Sequence, residues 1–168
     1  MRQLAIQVRA LMVAADNYRR AMAAALGVGV TEISALGELR QDGPLTPSEL
    51  SRRLGLTSPS VTSLLDRLET AALVVRQRHP ADRRSVLVQL TGGADAALAA
   101  LFELFSEDVA TAVESSDPEH VAELAAMLGS IAEAMSARAN DRDSIAGELA
   151  DRVARYRAGG RPPDAGDE

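Results

Sequence analysis

The sequence predicts a mainly α-helical fold that contains one short β-hairpin. Apolar residues make up 46% of the 168-residue chain and aromatic residues only 2%, so Leu, Val and Ala have to fill the core, and this composition favours helices. Most of the chain also repeats apolar residues at three- and four-residue steps. Residues 73–90 differ, because they hold two short β-branched runs separated by a proline-containing loop, which is typical of a hairpin.

Five helices flank or follow the central part of the chain. The apolar spacing predicts them over residues 2–26, 32–40, 94–115, 119–138 and 143–157. Gly27 and Gly29 end the first, and Asp117-Pro118 is a typical helix start. Residues 159–168 are rich in Gly, Pro and Asp, which predicts a disordered tail.

Two short helices lie between these flanks and carry the clearest local signals. Thr46-Pro47-Ser48-Glu49 combines a capping box with a proline at the first helical position, and Gly55 ends that helix after Leu54. Ser58-Pro59 begins a second helix that reaches about Ala71, and its inward-facing residues are Val61, Leu64, Leu65 and Leu68. Two short helices joined by a turn containing glycine form a helix-turn-helix. Strands over 73–78 and 85–90, joined by the basic loop 79–84, complete a mainly α winged helix-turn-helix.

The charge distribution favours a nucleic-acid partner, although the net charge is −6. Residues 45–90 hold seven arginines and four acidic residues, whereas the rest of the chain holds eleven arginines and twenty acidic residues. A local basic surface is sufficient for binding a polyanion, whatever the total charge. The wing and helix-turn-helix are therefore the predicted contact region.

Several classes of function are excluded on composition. The chain has no cysteine, and its two histidines, His79 and His120, lack the spacing of metal ligands. No glycine-rich phosphate loop follows a strand and no nucleophile motif is present, so we expect neither an enzyme nor a cofactor or metal. No run approaches the ~20 apolar residues that span a bilayer, and no signal peptide is evident, so we expect a cytoplasmic protein without a membrane partner.

These motifs resemble the MarR family of winged helix-turn-helix transcriptional regulators. The matching runs are GPLTPSELSRRLGL at 43–56, VTSLLDRLE at 61–69, DRR at 82–84 and VQLT at 88–91. The resemblance covers about residues 1–138; Thr70-Ala71-Ala72 departs from the turn that members often have, and the chain after Arg138 lies outside the usual pattern. It implies a DNA-binding domain over 31–91 and a helical dimerisation region over 1–30 and 92–138, which leaves 139–158 as an extra helical extension.

The second helix of the motif is the predicted recognition helix, which enters the major groove. Its outward positions are Ser58, Ser60, Thr62, Ser63 and Arg67. Small hydroxyl side chains permit close approach, and Arg67 is the one long donor to phosphate or guanine. Two alternatives are open: Ser58 serves only as a helix cap, and Arg67 forms an ion pair with a nearby acid of its own helix.

The resemblance implies that Arg84, at the wing, reaches into the minor groove, where a narrow A·T-rich groove concentrates negative potential. Asp82 would orient that arginine or the loop backbone. Arg76, Arg78, His79 and Arg83 are predicted phosphate contacts. The alternative is a solvated hairpin face without a partner.

We expect a homodimer on a pseudo-palindromic operator in double-stranded DNA. The apolar faces of residues 4–25 and 119–138 form its interface, either alone or together with the tail helix. The resemblance also implies a small aromatic or phenolic effector, for which Tyr18, Arg19, Phe102 and Phe105 are the candidate contacts unless the aromatic rings are plain core. The predicted function is a sequence-specific regulator, a repressor released by that ligand. The alternative is a winged-helix protein-interaction module that does not bind DNA.

Overall fold

The computed structural model describes residues 2–78, 80 and 85–158 and confirms the mainly α winged helix-turn-helix. Its elements are, in chain order, α1 Arg2–Ala25, α2 Val30–Asp42, α3 Pro47–Leu54, α4 Ser58–Thr70, β1 Val74–Arg78, β2 Val86–Leu90, α5 Gly92–Val113, α6 Pro118–Asn140 and α7 Arg142–Arg157. The predicted bounds differ from these by at most two residues, and Gly92-Gly93 does not delay the start of α5.

The start of α3 is fixed by the predicted capping box. The Glu49 backbone N–H donates to Thr46 Oγ1 at 3.2 Å, and the Thr46 N–H donates back to Glu49 Oε2 at 2.8 Å. The Thr46 hydroxyl also donates to Glu49 Oε2, at 2.7 Å. The bonds from the Thr46 N–H and hydroxyl to Oε2 lower the pKa of the Glu49 carboxyl, because they favour its charged form. Gly55, at φ 66°, then ends α3 in the left-handed conformation that favours glycine.

The prediction that Ser58 caps α4 is wrong. Thr57 takes the extended cap conformation, and Ser58 is the first helical residue. Pro59 therefore occupies the second helical position, where a missing backbone N–H again costs no helical hydrogen bond. The Thr57 side chain makes no capping bond to the backbone; its hydroxyl lies 2.8 Å from that of Ser60.

The wing strands pair antiparallel, with Val74 opposite Leu90 and Arg78 opposite Val86. Leu45 adds a bridge on the other side of β2, where it exchanges backbone hydrogen bonds of 3.0 and 2.8 Å with Val88. This bridge attaches the wing to the segment that precedes α3. No periodic pattern could predict this bridge, because only one residue takes part.

The core lies in the helix-turn-helix and wing. Its largest fully buried side chains come from α2, α3, α4 and both strands, and they are Leu36, Leu50, Val61, Leu64, Leu65, Leu68, Val74 and Val88. The four α4 residues in this set are the ones predicted to face inward. Their burial removes one side of α4 from water and leaves the other side free.

The chain divides into two compact units, Met1–Val109 and Ala110–Glu168. In the second unit, Arg138 Nη2 of α6 lies 2.5 Å from Glu148 Oε2 of α7, and the Asp141 carboxylate accepts a hydrogen bond from the Ser144 N–H at 3.2 Å. None of the α6 and α7 side chains that the structure describes is buried. Within the described part of the chain, no single helix meets the length and hydropathy of a membrane span; α1 and α2 do so only as a pair bent by 92°.

Candidate DNA-binding interface and ligand cavity

The outward face of α4 carries the residues predicted to meet DNA. Ser58, Ser60, Thr62, Ser63 and Arg67 are all exposed, on the side of the helix opposite its buried leucines. Thr62 Oγ1 donates to the Ser58 carbonyl at 3.0 Å, so that hydroxyl keeps its acceptor capacity for an outside donor. The face is small, polar and uncovered in the single chain.

Arg67 is held by a residue that the sequence analysis did not single out. Its Nε and Nη2 both donate to Glu32 Oε1 of α2, at 2.9 and 2.5 Å. The expected alternative partner, an acid on its own helix, is not the one used. The Glu32 side chain is only 12% exposed, whereas that of Arg67 is 61% exposed. Glu32 therefore fixes the guanidinium while much of it still faces solvent.

Arg76 of β1 is engaged with two acids of α4. Its Nη1 donates to Glu69 Oε2 and its Nη2 to Asp66 Oδ1, both at 2.7 Å. These pairs connect the first wing strand to the recognition helix and neutralise two carboxylates that would repel a phosphate backbone. In the free protein, Arg76 thus has its charge compensated within the fold.

Arg78 and Arg52 differ from Arg67 and Arg76 in having no acidic partner within the part of the chain that the structure describes. Both are exposed, and among the residues that the structure describes neither forms an ion pair. Arg53, the neighbour of Arg52, instead contacts Asp42 and Glu38, and these hydrogen bonds raise its pKa. Arg52 was not predicted as a DNA contact, because it lies on α3 and not on the predicted recognition helix. The signal that could have identified it is its place in the exposed last turn of α3.

The rest of the predicted wing site lies outside the described residues. This applies to His79, Asp82, Arg83 and Arg84. Their assignment as wing contacts stays a prediction from the sequence.

The structure brings the four predicted effector contacts together around one cavity of about 350 Å³. Helices α1, α2 and α5 form its wall, with the residues Ala15, Tyr18, Arg19, Met22, Ile33, Ser34, Gly37, Phe102 and Phe105. The Tyr18 and Phe105 rings meet edge to face at 5.5 Å, and the centroids of Phe102 and Phe105 are 6.3 Å apart. Phe102 is 59% and Phe105 44% exposed, so neither ring belongs to the core of the single chain.

A second cavity of about 340 Å³ adjoins the first, since Met22, Ile33, Gly37 and Phe102 line both. Its further wall includes Arg40, whose guanidinium carbon lies 6.0 Å from the centre of the Phe102 ring. At that distance the cation is attracted by the ring face. The two cavities together offer an aromatic wall with a cation at one end.

No group of His, Cys, Asp and Glu that could hold a metal ion occurs among residues 2–78, 80 and 85–158. His120 is exposed near the start of α6. The polar face of α4 suits a polar macromolecule, and the apolar cavity suits a small ligand.

The profile of the MarR family matches residues 26–85, from the end of α1 to the wing. In the crystal structure of wild-type, apo MarR from E. coli, the same fold is aligned over 76% of this chain and 96% of that one, with a TM-score of 0.59 and 26% identity. Over residues 26–85 the chain is thus similar to the MarR family. Its relatives include the HTH-type transcriptional regulator YcgE of Bacillus subtilis (strain 168), 42% identical over 42% of this chain and 46% of YcgE. A second is the HTH-type transcriptional repressor YetL of the same strain, 29% identical over 57% of this chain and 58% of YetL.

The alignments thus cover about half the length of these two relatives. Both carry the names of transcription factors, and neither is named as an enzyme. The similarity to the MarR family supports the winged helix-turn-helix fold.

Proposed function

We propose that this chain is a sequence-specific regulator of transcription that binds double-stranded DNA with α4 in the major groove and the wing beside it. The observation that carries the proposal is the two-sided character of α4: its leucines are buried, and its hydroxyl side chains form an exposed face. A major groove about 12 Å wide admits such a helix, and Ser58, Ser60, Thr62 and Ser63 keep the approach short. The relative YetL is named a repressor, which favours repression as the mode of action.

The arginines around α4 differ in how far their charge is available to DNA. Arg78 and Arg52 are the cations available for phosphates, with Arg83, Arg84 and His79 as the predicted contacts of the wing loop and Asp82 as the residue that orients it. Arg67 keeps Nη1 outside its pair with Glu32, so it can contact a phosphate or guanine from a fixed position. Arg76 neutralises Asp66 and Glu69 and reaches DNA only by exchanging those partners.

A homodimer is the assembly we propose, because large apolar side chains of α1 and α6 are open to water in the single chain. Examples are Leu11 and Val13 at 54% and 55% exposure, and Leu124 and Met127 at 46% and 52%. Exposed apolar surface of this extent marks an interface. A two-fold dimer would also present two recognition helices to the half-sites of a pseudo-palindromic operator.

The cavity lined by Tyr18, Arg19, Phe102 and Phe105 is the site we propose for a small aromatic or phenolic effector. Its volume of about 350 Å³ lies at the lower end of the range for small-molecule sites, and its wall is mostly apolar with few polar groups. Ile33 of α2 lines the cavity and Glu32, the residue before it, holds Arg67 of α4. A ligand that displaces α2 would thereby shift the recognition helix and release the operator.

The test is a fluorescence anisotropy titration of the protein against its own upstream DNA at several salt concentrations. A DNA-binding protein loses affinity steeply as salt rises, with a slope in log–log form of about −0.9 per phosphate contact. Arg84→Ala is expected to abolish most of the binding while leaving the dimer intact by light scattering. Arg20→Ala, which removes an exposed arginine of α1, is the matched control and is expected to bind like the parent.

Two outcomes would contradict the proposal. Binding of Arg84→Ala that equals the parent would show that the wing has been wrongly assigned. A protein that fails to bind the duplex even at low salt would support the protein-interaction module instead. The effector site is tested separately by thermal shift with a panel of phenols and benzoates, in which Phe105→Ala, a truncation of the cavity wall, is expected to abolish any stabilisation.

A further inference from the structure

The helix α7 carries an apolar stripe that the described chain does not cover. Ile145, Leu149, Val153 and Tyr156 follow one another at steps of four, four and three residues, so they lie on one side of the helix. They are 37–60% exposed, and Leu149, at the middle of the stripe, is the most exposed of them. Most of the stability of a helix in a protein comes from packing of its apolar side, so an uncovered stripe on a 16-residue helix favours a further packing partner.

The charges of α7 identify the partner that fits. Residues 141–148 hold three acidic residues and one arginine, whereas residues 149–157 hold one acidic residue and three arginines. Acidic residues near the start of α7 and basic residues near its end interact favourably with the macrodipole of the helix. It also makes the two halves complementary to each other, so that two copies side by side attract when antiparallel and repel when parallel.

We infer that α7 packs antiparallel against α7 of a second copy of this chain, with a two-fold axis that passes beside Leu149. This inference rests on the proposed homodimer and adds to its interface a segment outside the family's usual pattern. With that axis, Leu149 faces its own symmetry mate, and Ile145 of each copy faces Val153 of the other. Asp141 of each copy then lies near Arg155 and Arg157 of the other.

The second unit holds α7 ready for this contact. The ion pair of 2.5 Å between Arg138 and Glu148 joins α7 to α6, and the Asp141 cap fixes the turn between them. A helix that is already oriented loses less conformational freedom when it binds. The Arg138–Glu148 pair lies to one side of the stripe, so it leaves Ile145, Leu149 and Val153 available.

A disulfide cross-link tests the axis directly, because the chain contains no cysteine. In the full chain, Leu149→Cys is expected to give a disulfide-linked dimer on mild oxidation. The matched control is Asp151→Cys, on the opposite side of α7, whose sulfurs in this arrangement are too far apart to bridge. We expect the first variant to cross-link at least about tenfold faster, since a disulfide requires Cα atoms closer than about 7 Å.

The charge pattern is tested in the same Leu149→Cys background. One variant adds Arg155→Glu with Arg157→Glu, and a second adds Asp141→Arg. Each alone places like charges together at both ends of the helix pair and is expected to cross-link several-fold more slowly. Mixed in equal amounts, they restore opposite charges at both ends, so the mixed dimer is expected to form in preference to either homodimer.

The outcomes separate this inference from the proposed function. If Leu149→Cys remains dimeric by light scattering but cross-links no faster than Asp151→Cys, the α7 pairing is overturned and the homodimer stands. A mixture that shows no preference for the mixed dimer likewise overturns the antiparallel register. If the parent chain is monomeric at micromolar concentration, the inference and the proposed homodimer fail together.

Discussion

The helix-turn-helix with its wing and the pair of C-terminal helices differ in how they are stabilised. Twelve of the fifteen buried apolar residues that the structure describes lie between Ile33 and Val88, whereas α6 and α7 contribute none. The first region therefore holds its own core and can present α4 as a rigid surface. The second has apolar side chains but no interior, so its order depends on a partner. The chain thus contains one region with its own hydrophobic core and one region whose apolar side chains need a partner to cover them.

The most direct test of this difference is to truncate one leucine side chain in each region. Leu65→Ala, at a fully buried position of α4, is expected to lower the free energy of unfolding by about 2–5 kcal/mol, because it leaves a cavity. Leu128→Ala in α6, 37% exposed in the single chain, is the matched variant. Urea unfolding at two protein concentrations provides the measurement.

The two leucine variants are expected to differ in concentration dependence as well as in size. The loss in Leu65→Ala should be the same at both concentrations, whereas the loss in Leu128→Ala should appear as weaker dimerisation. Equal, concentration-independent losses would show that α6 has an interior of its own. The contrast between the two regions would then be wrong.

The architecture of the first region was accessible from the sequence because its signals are local. The capping box at Thr46, the glycine at 55 and the spacing of the four α4 residues each report on a few neighbouring residues, and all of them are found as predicted. The predicted cavity contacts Tyr18, Arg19, Phe102 and Phe105 also come together, although they were chosen by resemblance.

The ion pairs around α4 were not accessible in the same way. Glu32 and Arg67 are 35 residues apart, and Arg76 meets Asp66 and Glu69 only after β1 has folded back beside α4. No periodicity marks such pairs, because each depends on how separate elements pack. The sequence therefore identified the arginines as a group but could not divide them into paired and unpaired ones.

That division predicts different effects of neutralising two arginines of the same strand. Arg78→Gln is expected to weaken operator binding about tenfold and to reduce the salt slope by about one, as the loss of a phosphate contact does. Arg76→Gln is expected to change the slope less, because its charge is compensated by Asp66 and Glu69. Anisotropy titrations between low and moderate salt distinguish them. Equal reductions in slope would mean that Arg76 exchanges its carboxylates for phosphate in the complex.

The capping box links the stability of the first region to pH. Since its hydrogen bonds lower the pKa of Glu49 below its ordinary value near 4.5, Glu49 stabilises the fold above that value. Its contribution is lost as the pH falls through the lowered pKa. Glu49→Gln should therefore flatten the acid side of the unfolding curve, and Thr46→Ala should cost about 1 kcal/mol at neutral pH. Glu103→Gln, an exposed carboxyl of α5, is the control, and a curve that changes as much in this variant would contradict the assignment.

The smallest effect is expected at the turn between α4 and β1, over Thr70-Ala71-Ala72. Ala72 has φ 56°, and among the described residues it is the only one other than glycine with a positive φ. Its carbonyl accepts a hydrogen bond from Thr91 Oγ1 at 2.9 Å, which holds the turn against the start of α5.

A Cβ in the left-handed region costs roughly 1–2 kcal/mol, but glycine also gains freedom in the unfolded chain. Ala72→Gly is therefore expected to stabilise the protein by less than about 1 kcal/mol, and Ala71→Gly, at an ordinary φ of −76°, to destabilise it. Thermal unfolding of the two variants side by side measures the difference, and a reversed order would show that the turn is not strained.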